Sequence, residues 1–296
     1  MALQSARGDV IIDAGGLVDA SGSAKGGDAG SIELSAPDGK VTFPLSGIEA
    51  SARSGYRGGA ISFDVKTFAT QSSLGELFTQ LSASGFTDHL GARIREGNAD
   101  ARAAGVIKAK DIDISLDAGS LLVDQTLDAT GIRGGTISLS AQNGIRLSDS
   151  GALYAKGTGG AGGRVSLSSG TASDGAGTPE GQINLAAGSR IDVAGSTGAR
   201  DGEVLLRLPQ ASALTLADAD AANDRLVLEG QIVGARSISL EGFRAYDMNL
   251  IAPGDVVATA GNVLYDDAVA FMALSAAIES NSVSYTHLTL PTICSV

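Results

Sequence analysis

The chain has few of the residues that usually carry chemistry or fill a large globular core. It contains no tryptophan and one cysteine among 296 residues, and aromatic residues make up only 4% of the sequence. A single cysteine cannot form an internal disulfide, so no disulfide framework is expected. The motifs G-x-x-x-x-G-K-[ST] and G-x-S-x-G, which mark phosphate loops and hydrolase nucleophiles, do not occur in the sequence. We therefore expect no catalytic residue, no cofactor and no metal.

Positive charge and long apolar runs are also scarce. Lysine and arginine number 21 against 33 aspartates and glutamates, which gives a formal net charge of −12. This balance argues against nucleic acid and against an anionic membrane surface as partners, because both need basic patches. The longest nearly apolar run, residues 268–278, is far shorter than the roughly 20 residues that cross a bilayer. No membrane span is expected.

Glycine and short aliphatic triplets are abundant, and they occur in a repeated pattern. The 41 glycines are about twice the usual share. In each copy an apolar, a polar and a small or apolar residue precede a glycine-rich turn, and a strand-like triplet follows. The five copies join residues 17–20 to 32–34, 48–50 to 61–63, 127–129 to 137–139, 153–155 to 165–167, and 191–193 to 204–206. Single strand-like pieces lie between them at residues 41–43, 112–114, 145–147, 183–185 and 238–240.

The triplets predict an all-β solenoid of stacked coils. Alternation has a period of two, so Ile137 and Leu139 point to one side of the strand and Ser138 to the other. Strands this short are stable only when neighbouring coils cover them. We expect coils of ~20 residues, spaced about 4.8 Å apart, with positive-φ glycines at corners such as residues 134–135 and 162–163. A β-sandwich is the alternative, but the near-constant repeat favours a solenoid.

Residues 68–98 interrupt the pattern. Leu74, Leu77, Phe78 and Leu81 follow helical spacing, which predicts an amphipathic helix before the strand pattern resumes at residues 90–94. Ser73 with Glu76 resembles a capping box, and Gly85 would end the helix. Two interpretations are open: a helix that covers the side or end of the solenoid, or a ligand-binding excursion. A second helix-like run, residues 267–278, would cover the open end of the stack.

These patterns divide the chain into five segments. We expect β-helix rungs at 1–66, an insertion with a helix and a strand at 67–104, rungs at 105–252, a helix-containing end segment at 253–281, and a tail at 282–296. The tail contains no charge and no glycine, and residues 285–292 resemble translated sequencing-adapter sequence. We interpret it as non-native, so that His287 and Cys294 carry no functional weight.

Candidate sites for chemistry are sparse. Residues 157–162 match G-x-G-x-x-G, but a strand-like segment follows where a dinucleotide site needs a helix. Asp111 and Asp113 share one strand face, as Asp218 and Asp220 would if extended, and paired acids could cleave glycosidic bonds. The solvated face of a strand explains the same spacing. Residues 26–30 are glycine-rich but lack the tandem pattern of calcium-binding nonapeptides.

One triplet, Arg7, Gly8 and Asp9, matches a known integrin-recognition sequence and is a candidate receptor-binding site. It precedes a short strand and would lie on an accessible turn. Gly254, Asp255 and Val256 repeat the turn-to-strand phrase without an arginine, so a structural role for Gly8 and Asp9 is the other interpretation.

Several phrases resemble filamentous haemagglutinin-type exoproteins over most of residues 8–250. They lie at residues 127–131 with 134–139, 189–195, 85–88 with 93–95, and 240–247. The resemblance implies a right-handed parallel β-helix shaft, extracellular or on the bacterial surface, in a protein exported by two-partner secretion and used in adhesion or aggregation. The implied partners are host or neighbouring-cell receptors or glycans and an outer-membrane transporter.

The sequence departs from that family at its N-terminus. It has no basic-plus-apolar signal peptide and no N-terminal secretion domain. We therefore expect a fragment, with export and the transporter belonging to the parent protein. The alternative function is a carbohydrate-active or glycan-binding β-helix module, which would present a lateral cleft where acidic and basic residues converge.

Overall fold

A computed structural model of the protein describes residues 1–68, 74–102, 105–170, 181–209, 226–246, 287–289 and 293–295. The fold is mostly β, with parallel strands in stacked sheets. In the described residues there is one α-helix, α1 (Leu74–Ala83), and a 3-10 turn at Leu45–Gly47. No helix in these ranges is long and apolar enough to cross a membrane.

The strands follow one another in chain order with connections of different lengths. They are β1 (Ala2–Gln4), β2 (Val10–Ile11), β3 (Val18–Asp19), β4 (Ser31–Thr42), β5 (Ile48–Glu49), β6 (Ala60–Phe68), β7 (His89–Ile94), β8 (Ala99–Ala101), β9 (Val106–Lys108), β10 (Asp111–Leu116), β11 (Ser120–Val123), β12 (Thr126–Asp128), β13 (Thr136–Ala141), β14 (Gly144–Leu147), β15 (Ala152–Tyr154), β16 (Arg164–Ser169), β17 (Ile183–Leu185), β18 (Arg190–Asp192), β19 (Gly202–Pro209), β20 (Leu226–Leu228), β21 (Gln231–Val233), β22 (Ala235–Tyr246), β23 (His287–Thr289) and β24 (Ile293–Ser295).

The chain visits three sheets in turn and then returns to the first. The long sheet has the order β1-β4-β6-β7-β10-β13-β16-β19-β22-β23, with β2 also on β4 and β24 also on β22. The second sheet is β8-β11-β14-β17-β20 and the third is β9-β12-β15-β18-β21, while β3 pairs with β5. All of these pairings are parallel. One pass through the three sheets, such as β10 to β12, is called a coil below.

Aliphatic side chains from equivalent positions stack through the interior. One row along the long sheet consists of buried residues in register: Ile32, Ile61, Leu90, Ile112, Ile137, Val165 and Val204. The five predicted triplets all lie in this sheet, so the predicted strand alternation is confirmed. Burial of a row of Ile, Val and Leu side chains supplies the main stabilising term.

The single pieces at residues 112–114 and 238–240 lie in further strands of the long sheet. The predicted coil length is wrong. Coils are longer than ~20 residues, because 22 residues separate Leu90 from its partner Ile112 and 39 separate Val165 from Val204. Turns of different lengths cause this variation, and turn length does not alter the strand spacing.

A repeated hydrogen bond closes the turn that leads back to the long sheet. A glycine N–H donates to the carbonyl at the end of the preceding phrase: Gly30 to Ala20 (2.6 Å), Gly59 to Ala50 (3.1 Å), Gly135 to Ala129 (2.8 Å), Gly163 to Ala155 (2.7 Å) and Gly202 to Val193 (2.8 Å). All five copies of the sequence phrase make it. The phrase therefore encodes this turn as well as the strands on either side.

The turn glycines are required for a reason other than the predicted one. None of Gly134, Gly135, Gly162 and Gly163 has a positive φ, so the expectation of left-handed corners is wrong there. A Cβ on Gly135 would overlap the carbonyl oxygen of Lys110 in the preceding coil, and a Cβ on Gly163 would overlap that of Gly135. Successive coils approach each other too closely at this point for any side chain.

The polar residue of the phrase stabilises the start of the same turn. The carboxylates of Asp19, Asp128 and Asp192 each accept a hydrogen bond from the backbone N–H two residues later, at 2.8, 2.9 and 3.1 Å. This is the Asx-turn arrangement that favours aspartate at turns. For Asp19, hydrogen bonds from the side chain and backbone of Ser21 lower the pKa of the carboxyl.

Helix α1 forms part of the wall of the coil between β6 and β7, and the described residues of that coil include no strand of the second or third sheet. Its predicted apolar face is confirmed, with Leu74, Leu77, Phe78 and Leu81 buried. Gly85 has φ 93° and ends the helix as predicted, with the Phe86 N–H donating to the Leu81 carbonyl (3.1 Å). The predicted cap, Ser73, lies outside the described residues.

The end of α1 bonds to the coils on both sides of it. The Ala50 N–H donates to the Ser84 carbonyl (2.9 Å), and the Lys108 N–H donates to the Ser82 Oγ (2.9 Å). The helix therefore continues the stack and packs its apolar face into the core, as expected for a helix on the side of the solenoid.

Beyond the last long strand, only short pieces of the tail are described. Residues 287–289 and 293–295 pair in parallel with β22. The predicted second helix, residues 267–278, lies outside the described residues.

Candidate functional site

The candidate receptor-binding triplet lies in the bend between β1 and β2. Arg7 and Asp9 are exposed, but the Asp9 Oδ1 accepts a hydrogen bond from the Lys40 N–H of the next coil (2.8 Å). Asn98 has the same position before β8 and accepts from the Ser120 N–H at the same distance. Asp9 is thus one of several side chains, with Asp28 and Asp149, that accept a backbone N–H from the next coil. Receptor binding by Arg7, Gly8 and Asp9 stays a prediction.

The paired carboxylates on β10 point outward, as the strand pattern predicted. Asp111 is in register with His89, and Asp113 is in register with Gly91, over which the His89 ring lies. Desolvation against the sheet raises the pKa of Asp113 although the residue as a whole is exposed; His89 opposes this shift and Asp111 adds to it. The structure therefore brings Asp111, Asp113 and His89 onto one open face. Asp218 and Asp220 lie outside the described residues.

The two glycine-rich segments serve as turns. In the G-x-G-x-x-G segment, the Gly157 N–H donates to the Ala194 carbonyl (2.9 Å) and the Thr158 N–H donates to the Gly131 carbonyl (2.8 Å). The chain then enters β16, so the interpretation as a turn before a strand is confirmed.

In the segment at residues 26–30, Asp28 forms a salt bridge with Arg57 (2.9 Å). Hydrogen bonds from the Arg57 backbone and side chain lower the pKa of Asp28. Within the described ranges no group of three or more His, Cys, Asp or Glu residues could hold a metal ion.

Many charged side chains pair with the opposite charge on the adjacent coil. Such pairs are Lys66–Glu96, Arg93–Asp117, Arg95–Asp64, Arg102–Asp124, Arg164–Glu203, Arg207–Glu241 and Arg236–Glu203. Each exposed pair contributes little alone. Together they spread opposite charges along the stack instead of gathering one sign in a cleft.

A groove of about 300 Å³ lies at the corner where the long sheet turns toward the second sheet. Ser115, Ser140, Ser168 and Arg207 are in register on β10, β13, β16 and β19 and form one of its sides. The other lining residues are Leu116, Asp117, Ala141, Gln142, Ser169, Gly170 and Phe243. The groove is a lateral concavity, but its lining, among the described residues, has one acid and one base and lacks the convergence of acidic and basic residues predicted for the carbohydrate-active alternative.

The charged groups of the groove are held by neighbours. Arg93 contacts both carboxylate oxygens of Asp117 at 2.8–3.0 Å. The Arg207 guanidinium lies over the Phe243 ring, 4.5 Å from its centroid, and is 3.7 Å from a Glu241 oxygen. The groove therefore presents hydroxyl groups and an amide between two compensated charges.

The connections at this corner differ greatly in length. Three residues join β10 to β11 and two join β13 to β14, whereas residues 170–182 join β16 to β17 and residues 210–225 join β19 to β20. Both long connections follow strands that line the groove, β16 and β19. Long connections that interrupt a regular scaffold often carry function.

Comparisons with known proteins place the chain in no family. No family model matches it, and no curated protein or solved structure matches it with significant similarity. The resemblance to filamentous haemagglutinin-type exoproteins therefore stays a prediction.

The sequence did not indicate the groove residues. Ser115, Ser140 and Ser168 each directly follow a separate triplet, and they become neighbours only through the coil register. Their shared position, two residues after the outward residues Asp113, Ser138 and Ser166, is the signal that would have found them.

Proposed function

We propose that this chain is a segment of a right-handed parallel β-helix shaft in a large secreted or surface-exposed bacterial protein that mediates adhesion or aggregation. The observation that supports it is the continuous parallel stacking from β1 to β22 around one aliphatic core. Such a stack holds distant parts of a protein at a fixed separation, because each coil contacts only its neighbours. We infer the role in adhesion and the export by two-partner secretion from the resemblance of the repeat phrases to filamentous haemagglutinin-type exoproteins.

The surface charges also support a structural role over a catalytic one. A hydrolase needs acids whose protonation states are set against each other around a bound substrate. Here Asp64, Asp117 and Asp124 pair with arginines, while Asp111 and Asp113 share an open face with His89. We therefore expect no turnover of polysaccharides by the chain.

A surface-display experiment tests the shaft. The full chain is placed between an outer-surface anchor and a known binding domain on a non-adherent bacterial cell, and attachment to ligand-coated beads is measured. We expect attachment well above that of cells carrying a scrambled chain of equal length and composition. Equal attachment with the scrambled chain would contradict a rigid shaft.

The adhesive and catalytic alternatives are tested with the purified chain. Beads coated with wild type or Arg7→Ala are scored for attachment to integrin-bearing cells, and an unchanged count excludes the triplet as the receptor site. Reducing-end release from a polysaccharide panel measures turnover. Measurable release would replace the shaft proposal with a carbohydrate-active enzyme.

A further inference from the structure

The polar groove described above has the geometry of a binding site that runs along the stack. Ser115, Ser140 and Ser168 lie on three adjacent parallel strands, so their hydroxyls repeat at about 4.8 Å, the strand spacing. All three residues are half-buried. A hydroxyl both donates and accepts hydrogen bonds, so this row can bond to a ligand with either kind of group.

The charges of the groove select against an ionic ligand. Binding a phosphate or sulfate calls for a basic side chain free to form charge-assisted hydrogen bonds. Arg207 instead lies on Phe243 beside Glu241, and Asp117 is held by Arg93. An anion would have to compete with Glu241, and a cation would have to compete with Arg93.

Shape and composition select against an apolar ligand. Phe243 is 8% exposed and its face is covered by Arg207, so the described residues of the groove offer no open aromatic surface. Among these residues the lining groups are mostly small hydroxyls and an amide, and the apolar contacts come from Leu116 and Ala141. A ligand rich in hydroxyl groups and without net charge matches this lining.

We propose that the groove binds a neutral oligosaccharide whose chain lies along the stack, with its hydroxyl groups bonded to Ser115, Ser140 and Ser168. Arg207 on Phe243 closes one end of the site, and the Arg93–Asp117 pair lies at the other. The row spans two strand spacings, about 10 Å, so it contacts a short stretch of a longer glycan. Arg7, Gly8 and Asp9 take no part, and the shaft proposal stands whether or not this site exists.

The test measures binding of named neutral glycans to the full chain. Cellotetraose, maltotetraose, mannotetraose and chitotetraose are titrated with saturation-transfer NMR and calorimetry. We expect saturable binding of at least one, with a Kd of roughly 0.1–1 mM, typical of a few hydrogen bonds in an open groove. No saturation by any of the four at about ten times that concentration would overturn the proposal.

The sequence offers closely matched variants. Ser140→Val and Ser168→Val remove groove hydroxyls, and Ser138→Val and Ser166→Val remove hydroxyls from the same face of the same strands two residues away. We expect each groove variant to weaken binding about fivefold, the effect of one lost hydrogen bond, and each control to leave it unchanged. Equal effects from both pairs would overturn the site. Circular dichroism verifies folding, and Ser140→Ala and Ser168→Ala replace any variant that unfolds.

A charged probe tests the ligand class. A sulfated heparin tetrasaccharide is titrated at low and at physiological salt. We expect weaker binding than for the best neutral tetrasaccharide. Tighter, salt-sensitive binding that Arg207→Gln abolishes would overturn the assignment to a neutral glycan.

Discussion

At the scale of single residues, the repeat depends on turn positions that have no room for a side chain. Gly135 and Gly163 lie where a carbonyl of the preceding coil occupies the space of a Cβ. The Asp128 carboxylate accepts a hydrogen bond from the Thr130 N–H (2.9 Å). The glycines in the sequence located these turns. They could not show whether glycine is needed because two coils approach closely or because φ is positive, since both situations favour glycine over residues with a side chain.

Gly163→Ala is expected to destabilise the fold by about 1–3 kcal/mol, because its methyl group would overlap the Gly135 carbonyl and force the coils apart. Gly159→Ala is the matched control, since its Cβ would make only ordinary contacts with Ile132, at 3.5 Å from the side chain and 4.0 Å from the carbonyl oxygen. That change should be neutral or stabilise by up to about 1 kcal/mol. Urea denaturation measures both, and equal stability of the two variants would contradict the close-approach explanation.

The outward acids give a pH-dependent prediction. The pKa of Asp113 is raised in the folded protein, so its contribution to stability is present at low pH and is lost as pH rises through the folded pKa. Asp113→Asn removes the ionised group and should raise the Tm at pH 7 by about 1–2 °C. At pH 3 the wild type and the variant should have the same Tm. A lower Tm for the variant at pH 7 would show that ionised Asp113 is stabilising.

At the scale of elements, helix α1 shows that a coil can be closed without strands of the second and third sheets. Its four predicted core residues fill the interior in place of strand side chains. The sequence predicted the helix well because Leu74, Leu77, Phe78 and Leu81 repeat at a helical period. Its position in the wall depends on bonds from Ala50 and Lys108, which no local pattern shows.

Gly75→Ala tests the position of the helix, because helix propensity and packing predict opposite changes in the stability of the fold. Helix propensity favours alanine by about 1 kcal/mol. In this fold the new Cβ would lie 2.6 Å from the backbone nitrogen of Arg102, so we expect a net loss of about 1–2 kcal/mol. The control is Gln80→Ala, an exposed position on the same helix, which should change stability by less than about 0.5 kcal/mol. Stabilisation by Gly75→Ala in chemical denaturation would contradict the packing.

At the scale of the molecule, the groove is formed by residues from several successive coils, and no single repeat contains it. Ser115, Ser140, Ser168 and Arg207 come from four successive strands of the long sheet, and they are 25, 28 and 39 residues apart in sequence. The sequence predicted the strands, the parallel stacking and the interrupting helix. Aligning the triplets would have brought these outward residues together, but the triplets do not show that the corner beside them is concave.

Removal of one whole coil is expected to preserve the fold. Thr136 and Arg164 are register partners, so deletion of residues 136–163 joins Gly135 to Arg164 and leaves every remaining inward row continuous. We expect cooperative unfolding and a particle shorter by about 5 Å in X-ray scattering.

Deletion of residues 136–149 is the matched control. It removes half of the same coil and joins a glycine of the turn to the middle of another turn. We expect it to unfold or aggregate. If both deletions behaved alike, the coil would not be the structural unit.

The unequal coils have a consequence for mechanical force. When the two ends are pulled apart, the outermost coil detaches first, because only one neighbour holds it. Each detachment releases the residues of one coil, which are 22 between Leu90 and Ile112 and 39 between Val165 and Val204. At roughly 3.5 Å per residue, these extend by about 75 Å and about 135 Å. A force–extension trace of the chain would therefore distinguish its shortest coil from its longest by the length that each releases.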